Sequence, residues 1–274
     1  MTEISQIPFT LGSGLSGSGG ALTLDPSFLR SYLAGLQLSN DSTSPNTVLD
    51  ISAGVCVDST NAYFIKLGAF TKSTAGAWAS GSGSNGMGTG LTVAADTWYH
   101  IFAILKGGAY DIYFDTSVTA ANAPAGTVAF RRIGSIATDG NAHIVLFSQN
   151  GDEFLWSTPY SNYDGTPSSS PISFVVSVPT GVEVCARFRA FITSTSEATG
   201  VIFYSPDQAP MTFFTPAGNS SLVTNIQSGA MQVSGDFTVR TNTSQQITLA
   251  SFETAYPNLA LATYGWIDRR GRDN

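Results

Sequence analysis

The chain has 274 residues, with 12 Lys or Arg and 19 Asp or Glu, so charged side chains make up 11% where a soluble domain carries about 25%. Apolar residues at 42% exclude a disordered chain, which pairs low hydrophobicity with high charge. A net charge of −7, with no basic run before Arg269, excludes a phosphate-backbone binder, and no nucleic-acid partner is expected.

Residues 1–36 read as an N-terminal arm. Gly and Ser alternate through 12–20, and Phe9, Leu11, Leu15, Leu22 and Leu24 are spaced apolar points too sparse to build a core. They predict an extended segment whose apolar residues anchor on another chain. One short helix is expected at the end of the arm. Asp25 suits the N-cap, Pro26 the first helical position, and Phe28, Leu29, Tyr32 and Leu33 fall three to four apart before Gly35.

From Leu36 the pattern is β. Val48–Val57 and Ala62–Phe70 flank the turn Asp58-Ser59-Thr60-Asn61, and a glycine-rich loop is expected over Ser80–Gly90. Trp98–Leu105 is a near-continuous apolar strand that turns at Lys106-Gly107-Gly108-Ala109 into Tyr110–Phe114. There Tyr110, Ile112 and Phe114 share one face, and Asp111, Tyr113 and Asp115 the other, which reads as solvated. Asp139-Gly140 and Asn150-Gly151 predict two tight hairpin turns, and so an antiparallel meander from Val128 to Trp156.

Ser157–Pro171 is rich in Pro, Gly and Ser and reads as a boundary. Strand patterns resume at Ile172. In Val182–Arg189 the residues Val182, Val184, Ala186 and Phe188 alternate with Glu183, Cys185, Arg187 and Arg189, the mark of a half-buried strand. The expected fold is all-β: two antiparallel β-sandwich domains, jelly-roll-like, over 37–160 and 171–274. A linker at 161–170 joins them, and the arm and helix precede them. One continuous sandwich is the alternative.

The search for chemistry returns little. His100 and His143 lie in strand-like runs and read as structural, no nucleophile elbow or phosphate loop occurs, and no enzyme activity is expected. Asp111 with Asp115 and Asp152 beside Glu153 are the carboxylate pairs open to acid/base work. Asp50, Asp58 and Asp139 lack the spacing of a calcium loop, so no metal or cofactor is expected. Cys56 and Cys185 have no metal or redox spacing and read as buried thiols. No apolar run approaches the roughly 20 residues of a membrane span, and Met1-Thr2-Glu3 does not open a signal peptide. Synthesis in a cytoplasm is expected, with release needing no signal, as in lysis.

Tyr110, Tyr113, Tyr160 and Tyr163 flank turns and the linker, where exposed rings suit the faces of sugars; the other reading places them in the core or a subunit interface. Strands this poor in charge leave sheet edges unprotected, which predicts cover by sister subunits, a homo-oligomer.

Several stretches carry a resemblance to a known family. They are Tyr32-Leu33-Ala34-Gly35-Leu36-Gln37-Leu38-Ser39-Asn40-Asp41, Asp50-Ile51-Ser52-Ala53-Gly54-Val55 with Asp58-Ser59-Thr60, and Thr97-Trp98-Tyr99-His100. Further ones are Arg131-Arg132-Ile133-Gly134-Ser135-Ile136, Gly151-Asp152-Glu153-Phe154 and the ending Gly265-Trp266-Ile267-Asp268-Arg269-Arg270-Gly271-Arg272. Over residues 32–274 the chain resembles tail and tail-fibre proteins of tailed bacteriophages and prophages. Trp98–Gly108 with Tyr110–Phe114 is also similar to the hairpin of laminin-G and legume-lectin-like jelly rolls.

The resemblance implies a virion structural protein of tail or neck, assembled in the host cytoplasm and released by lysis. It would be anchored to other virion proteins by its N-terminus, form a trimer, and be able to contact host surface glycan. A capsid-decoration or collar protein is the alternative, and a glycan-degrading enzyme a third reading. The C-terminal arginines either pair with Asp268 and Asp273 to lock a subunit interface or form a solvated tail.

Overall fold

The computed structural model describes residues 15–18, 21–24, 29–194, 200–211, 222–223, 231–251 and 258–272. Within them the chain is all-β. Strands β1 (Leu15–Ser18) and β2 (Ala21–Leu24) form a hairpin that is a sheet of its own, with Leu15 opposite Leu24. Leu15, Leu22 and Leu24 thus lie on extended backbone, whereas Phe9 and Leu11 fall outside the described residues.

The next strands are β3 (Leu33–Gly35), β4 (Leu38–Asn40), β5 (Val48–Ile51), β6 (Gly54–Val57), β7 (Phe64–Leu67) and β8 (Phe70–Ala77). They are followed by β9 (Ser84–Met87), β10 (Trp98–Lys106), β11 (Ala109–Asp115) and β12 (Thr127–Ala137). The expected helix is not formed over its described part. Leu29 and Tyr32 close a single turn (Tyr32 N–H to Leu29 O, 3.0 Å) and Leu33–Gly35 is strand, with Leu33 opposite Cys56 of β6. So short a helix is marginal by itself, whereas the same backbone gains a ladder on β6. Gly35, at φ +68°, serves a close approach of chains and not a helix end, because a Cβ there would overlap the Ala53 carbonyl.

β3, β6 and β7 form a three-stranded sheet. A seven-stranded sheet runs β12-β10-β11-β9-β8-β5-β4. It is antiparallel except at β9, which lies parallel to both β8 and β11. Part of the expected glycine-rich loop is therefore a strand: Gly86, without a side chain, lets β9 pass against the Phe114 ring and Lys72. Both faces of this sheet are covered, which explains the unbroken apolar run in β10. Ile101 and Ala103 point into the main core, and Phe102 and Ile104 into a second cluster with Tyr113 and Ala120.

The remaining strands are β13 (Phe147–Asn150), β14 (Glu153–Gly165), β15 (Ile172–Val175), β16 (Cys185–Ser194) and β17 (Gly200–Tyr204). After them come β18 (Leu222–Val223), β19 (Met231–Arg240), β20 (Gln246–Ser251) and β21 (Asn258–Ile267). A five-stranded sheet runs β13-β14-β21-β16-β19 and a four-stranded sheet β15-β20-β17-β18. They pack face to face through Phe203 stacked on Phe237 at 4.6 Å.

The expected meander does not close. Asp139 N–H bonds His143 O, and Ala142, not Gly140, takes the positive φ of +61°, so this is a three-residue loop. The chain then leaves the seven-stranded sheet, and β13 begins the five-stranded one. The second turn is displaced by one residue: Asn150 pairs with Glu153, leaving Gly151, at φ +61°, and Asp152 as the loop. Strand β14 continues to Gly165, so residues 161–165, expected as linker, pair with β21.

One core cluster contains residues of all four larger sheets, from Leu33 to Trp266. At its centre Trp266 of β21 lies 4.8 Å from Trp156, 5.0 Å from Phe154 and 5.6 Å from Trp98, ring to ring. These rings join β10 of the seven-stranded sheet to β14 and β21 of the five-stranded one.

Candidate functional site

Beside β12, the end strand of the seven-stranded sheet, lies a cleft of about 1000 Å³. Six of the nine arginines line it: Arg30, Arg131, Arg132, Arg240, Arg269 and Arg270. Against them stand two lining carboxylates, Glu183 and Asp268, so in a chain of net charge −7 the cleft has a local excess of positive groups. It forms where the stretches singled out in the sequence meet: the turn before β3, the Asp58 turn, the paired arginines of β12, and the segment after β21.

Each part is held by specific bonds. Asp58 accepts N–H bonds from Thr60 (3.1 Å), Ala62 (2.7 Å) and Tyr63 (2.7 Å), and the Thr60 hydroxyl at 2.6 Å. Burial raises its pKa, but these four donors outweigh it and hold the carboxyl below its ordinary value. The turn so fixed places Ser59 N–H on Phe130 O of β12 at 2.9 Å. In β12 the extra residue of a bulge opposite Ile101/Phe102 reverses the alternation, so Arg131 faces the core side with Ala129 and Ile133.

Arg132 makes a two-pronged ion pair with Asp268, 2.7 Å on each side. Asp268 also accepts Arg270 N–H at 2.7 Å. Burial works to raise its pKa, yet Arg132 and the Arg270 amide prevail and hold it low. Arg132 donates further to the Ser135 hydroxyl (3.1 Å), which lies 2.9 Å from His100 Nδ1. His100 is fully buried with Nε2 unpartnered, and burial, then the charge of Arg132, pushes its pKa down to about 4. Ser135 is equally buried, so this Ser-His pair touches no solvent and presents no nucleophile.

Arg270 and Arg272 are not a solvated tail: Asp268 takes the Arg270 amide, and Asp273, the other expected partner, lies outside the described residues. Arg270, 3% exposed, donates to the carbonyls of Gly35 (3.2 Å) and Leu36 (3.3 Å), and its Nε lies 3.5 Å from Asp152. Arg272 pairs with the same Asp152. Arg131, 5% exposed, donates only to carbonyls, those of Ser31 (3.4 Å) and Arg270 (3.1 Å). Its Nε has no partner and no described carboxylate pairs with it. Burial pushes its pKa down, and Arg132, Arg272 and Arg270 push the same way.

The tyrosines read as glycan contacts do not form one site. Tyr110 and Tyr160 are exposed, the latter edge-on to Trp156 at 5.2 Å. Tyr163 is half-buried, donates its hydroxyl to Thr166 O (3.0 Å) and packs on Phe174. Tyr113 is fully buried, stacked on Phe102 at 5.3 Å with its hydroxyl on Asp115, and is no surface contact. The face it shares with Asp111 and Asp115 is not solvated, because residues 117–123 fold back over it. Asp115 accepts the N–H groups of Ser117 (2.8 Å) and Asn122 (2.9 Å). Asp111 pairs with buried Lys72 at 2.8 Å and accepts Gly81 N–H at 2.7 Å.

Cys56 is buried, and burial raises its thiol to about 12, whereas Cys185 is exposed and lines the cleft. The alternation of Val182–Arg189 had already put Cys185 in the polar phase. His143 is not in a strand but closes the Asp139 turn, 3.8 Å from that carboxylate. Among the described residues no group of three or more His, Cys, Asp and Glu is placed to hold a metal ion. No helix among them is long and apolar enough to cross a membrane. The arginine cleft was missed in the sequence because its members are scattered from residue 30 to residue 270; only the doublets Arg131-Arg132 and Arg269-Arg270 marked it.

No family model matches the chain, and no curated protein matches it. Among solved structures, the crystal structure of the infectious bursal disease virus VP2 subviral particle aligns over 88% of this chain and 72% of that one. The identity is 7% and the TM-score 0.24, a likeness that supports no argument about fold or function.

Proposed function

We propose that this chain is a structural protein of a tailed-phage virion, a fibre-like appendage of tail or neck without catalytic role. The observation that carries the reading is the β1–β2 hairpin: among the described residues its two strands pair only with each other. Neither outer edge has a partner among the described residues, which suits an arm that docks on another chain. The low charge supports the same reading. Strand β19, ten residues at the end of the five-stranded sheet, has no strand paired on its outer edge among the described residues and carries only Asp236 and Arg240 as charges. Sister subunits cover such an edge in a homo-oligomer, a trimer in this proposal. Of the two pairs open to acid/base chemistry, Asp111 and Asp115 are buried and spent on internal bonds, and Asp152 and Glu153 are ion-paired with arginines, which speaks against glycan cleavage. Host glycan contact rests on Tyr110 and Tyr160 alone.

Immunogold labelling of intact particles with antibody to this chain tests the proposal. Label at tail or neck is the expected result. Label over the capsid makes this a decoration or collar protein, and unlabelled particles remove it from the virion. Deleting residues 1–24 is expected to leave a soluble protein that no longer joins particles; incorporation of the deletion variant refutes the anchor. Light scattering of the full chain is expected to show a trimer, and a clean monomer refutes the subunit cover.

A further inference from the structure

Among the described residues, the guanidinium cluster around Arg131 carries more positive charge than the carboxylates paired with it neutralise. Around Arg131 stand four guanidinium groups, of Arg131, Arg132, Arg270 and Arg272. The carboxylates paired with them are two, Asp268 and Asp152. Arg131 and Arg270 are 5% and 3% exposed. Burying a cation without an opposite charge is costly, and folds ordinarily avoid it. The orphaned Nε of Arg131 marks where the missing charge belongs.

The cleft also has the dimensions of a ligand site. About 1000 Å³ far exceeds a bare ion and lies at the upper end of pockets that hold sugar-sized or drug-sized molecules, roughly 300–1,000 Å³. Its lining combines the guanidiniums with neutral hydrogen-bonding groups, Ser59, Asn61, Thr119 and Thr243, and with the ring of Phe130. Planar guanidinium forks match the two oxygens of a carboxylate or a phosphate.

We propose that this cleft binds an oxyanion, a carboxylate or phosphate carried on a small polyhydroxylated ligand such as an acidic sugar, with Arg131 as the buried counter-charge and Arg30 at the mouth. The site stands on its own observations, whether or not the chain belongs to a virion.

The test is calorimetric titration of the full-length protein with glucuronate, inorganic phosphate and glucose as probes. Saturable binding of glucuronate, of phosphate, or of both, with none of glucose, is expected. The preferred anion then shows whether the oxyanion comes from an acidic sugar or from phosphate. Arg131→Met is expected to abolish binding. Because a buried substitution can impair folding, Arg30→Glu serves as the second variant: Arg30 is exposed and makes no hydrogen bond or ion pair among the described residues, so the fold is retained while affinity falls at least about tenfold through charge reversal. Absence of binding by either anion, glucose binding as well as glucuronate, or an affinity unchanged in Arg30→Glu overturns the proposal.

Discussion

His100 is held neutral by its place in the structure. Its Nδ1 meets the Ser135 hydroxyl, which is already engaged by Arg132, and its Nε2 is enclosed without a partner. Protonation adds a second charge beside a guanidinium in a dry site, so its pKa falls from 6.5 to about 4. A histidine whose folded pKa is depressed binds fewer protons folded than unfolded. Its contribution is therefore complete above about pH 6.5 and is lost as pH falls toward 4, up to about 3 kcal/mol in total. Urea melts between pH 7 and 4 are expected to show this loss and His100→Gln to flatten it. An equal pH dependence in the variant refutes the assignment. Single residues were legible in the sequence where alternation placed them: Phe188 and Ala186 inward, Arg189 outward. Tyr113 was misplaced because alternation gives the face of a strand, not what covers that face.

At the scale of elements, the segment around β9 shows how a glycine-rich stretch gains order. Lys72 of β8 is fully buried, its Nζ 2.8 Å from Asp111 of β11, 2.6 Å from Ala79 O and 5.4 Å from the Trp78 ring. Asp111 in turn accepts Gly81 N–H, so one ion pair ties β8, β11 and the turn that feeds β9. Removing one partner strands a buried charge. Lys72→Met is expected to destabilise by about 3–5 kcal/mol, and Lys72→Met with Asp111→Asn to recover more than half, since asparagine keeps the acceptor for Gly81. A double-mutant cycle by urea denaturation measures this coupling, and simple additivity refutes it. Sequence reading saw only five glycines between Ser80 and Gly90 and expected a loop. Such a segment lacks strand propensity, and its pairing comes entirely from neighbours distant in sequence. The helix expected near Leu33 failed for the same reason: local signals were outweighed by a partner strand.

For the whole molecule, the ring cluster of Trp98, Trp156 and Trp266 decides whether the halves act separately. Because it joins the seven- and five-stranded sheets within one core, denaturation is expected to be a single cooperative transition by both fluorescence and circular dichroism. Trp266→Ala is expected to lower stability by about 3–5 kcal/mol while keeping one transition. Two resolved transitions in the parent protein refute the shared core. The strand-rich character and the run of ten-residue spacings were legible throughout. The sheet order was not, because β14 with β21 and β12 with the C-terminal segment are contacts between chain stretches far apart in sequence, and no local pattern encodes them.

Strand β21 lies between β14 and β16, yet both of those neighbours precede it in the chain. During synthesis on the ribosome, an intermediate that has emerged only as far as β20 has no strand for the slot between β14 and β16, whose facing edges then stand open. Such a slot is a template for the equivalent strand of another nascent molecule. Synthesis speed past β20, and premature termination within β21, thus govern how much of this protein reaches its native form and how much is lost to strand exchange between neighbours on the same messenger RNA.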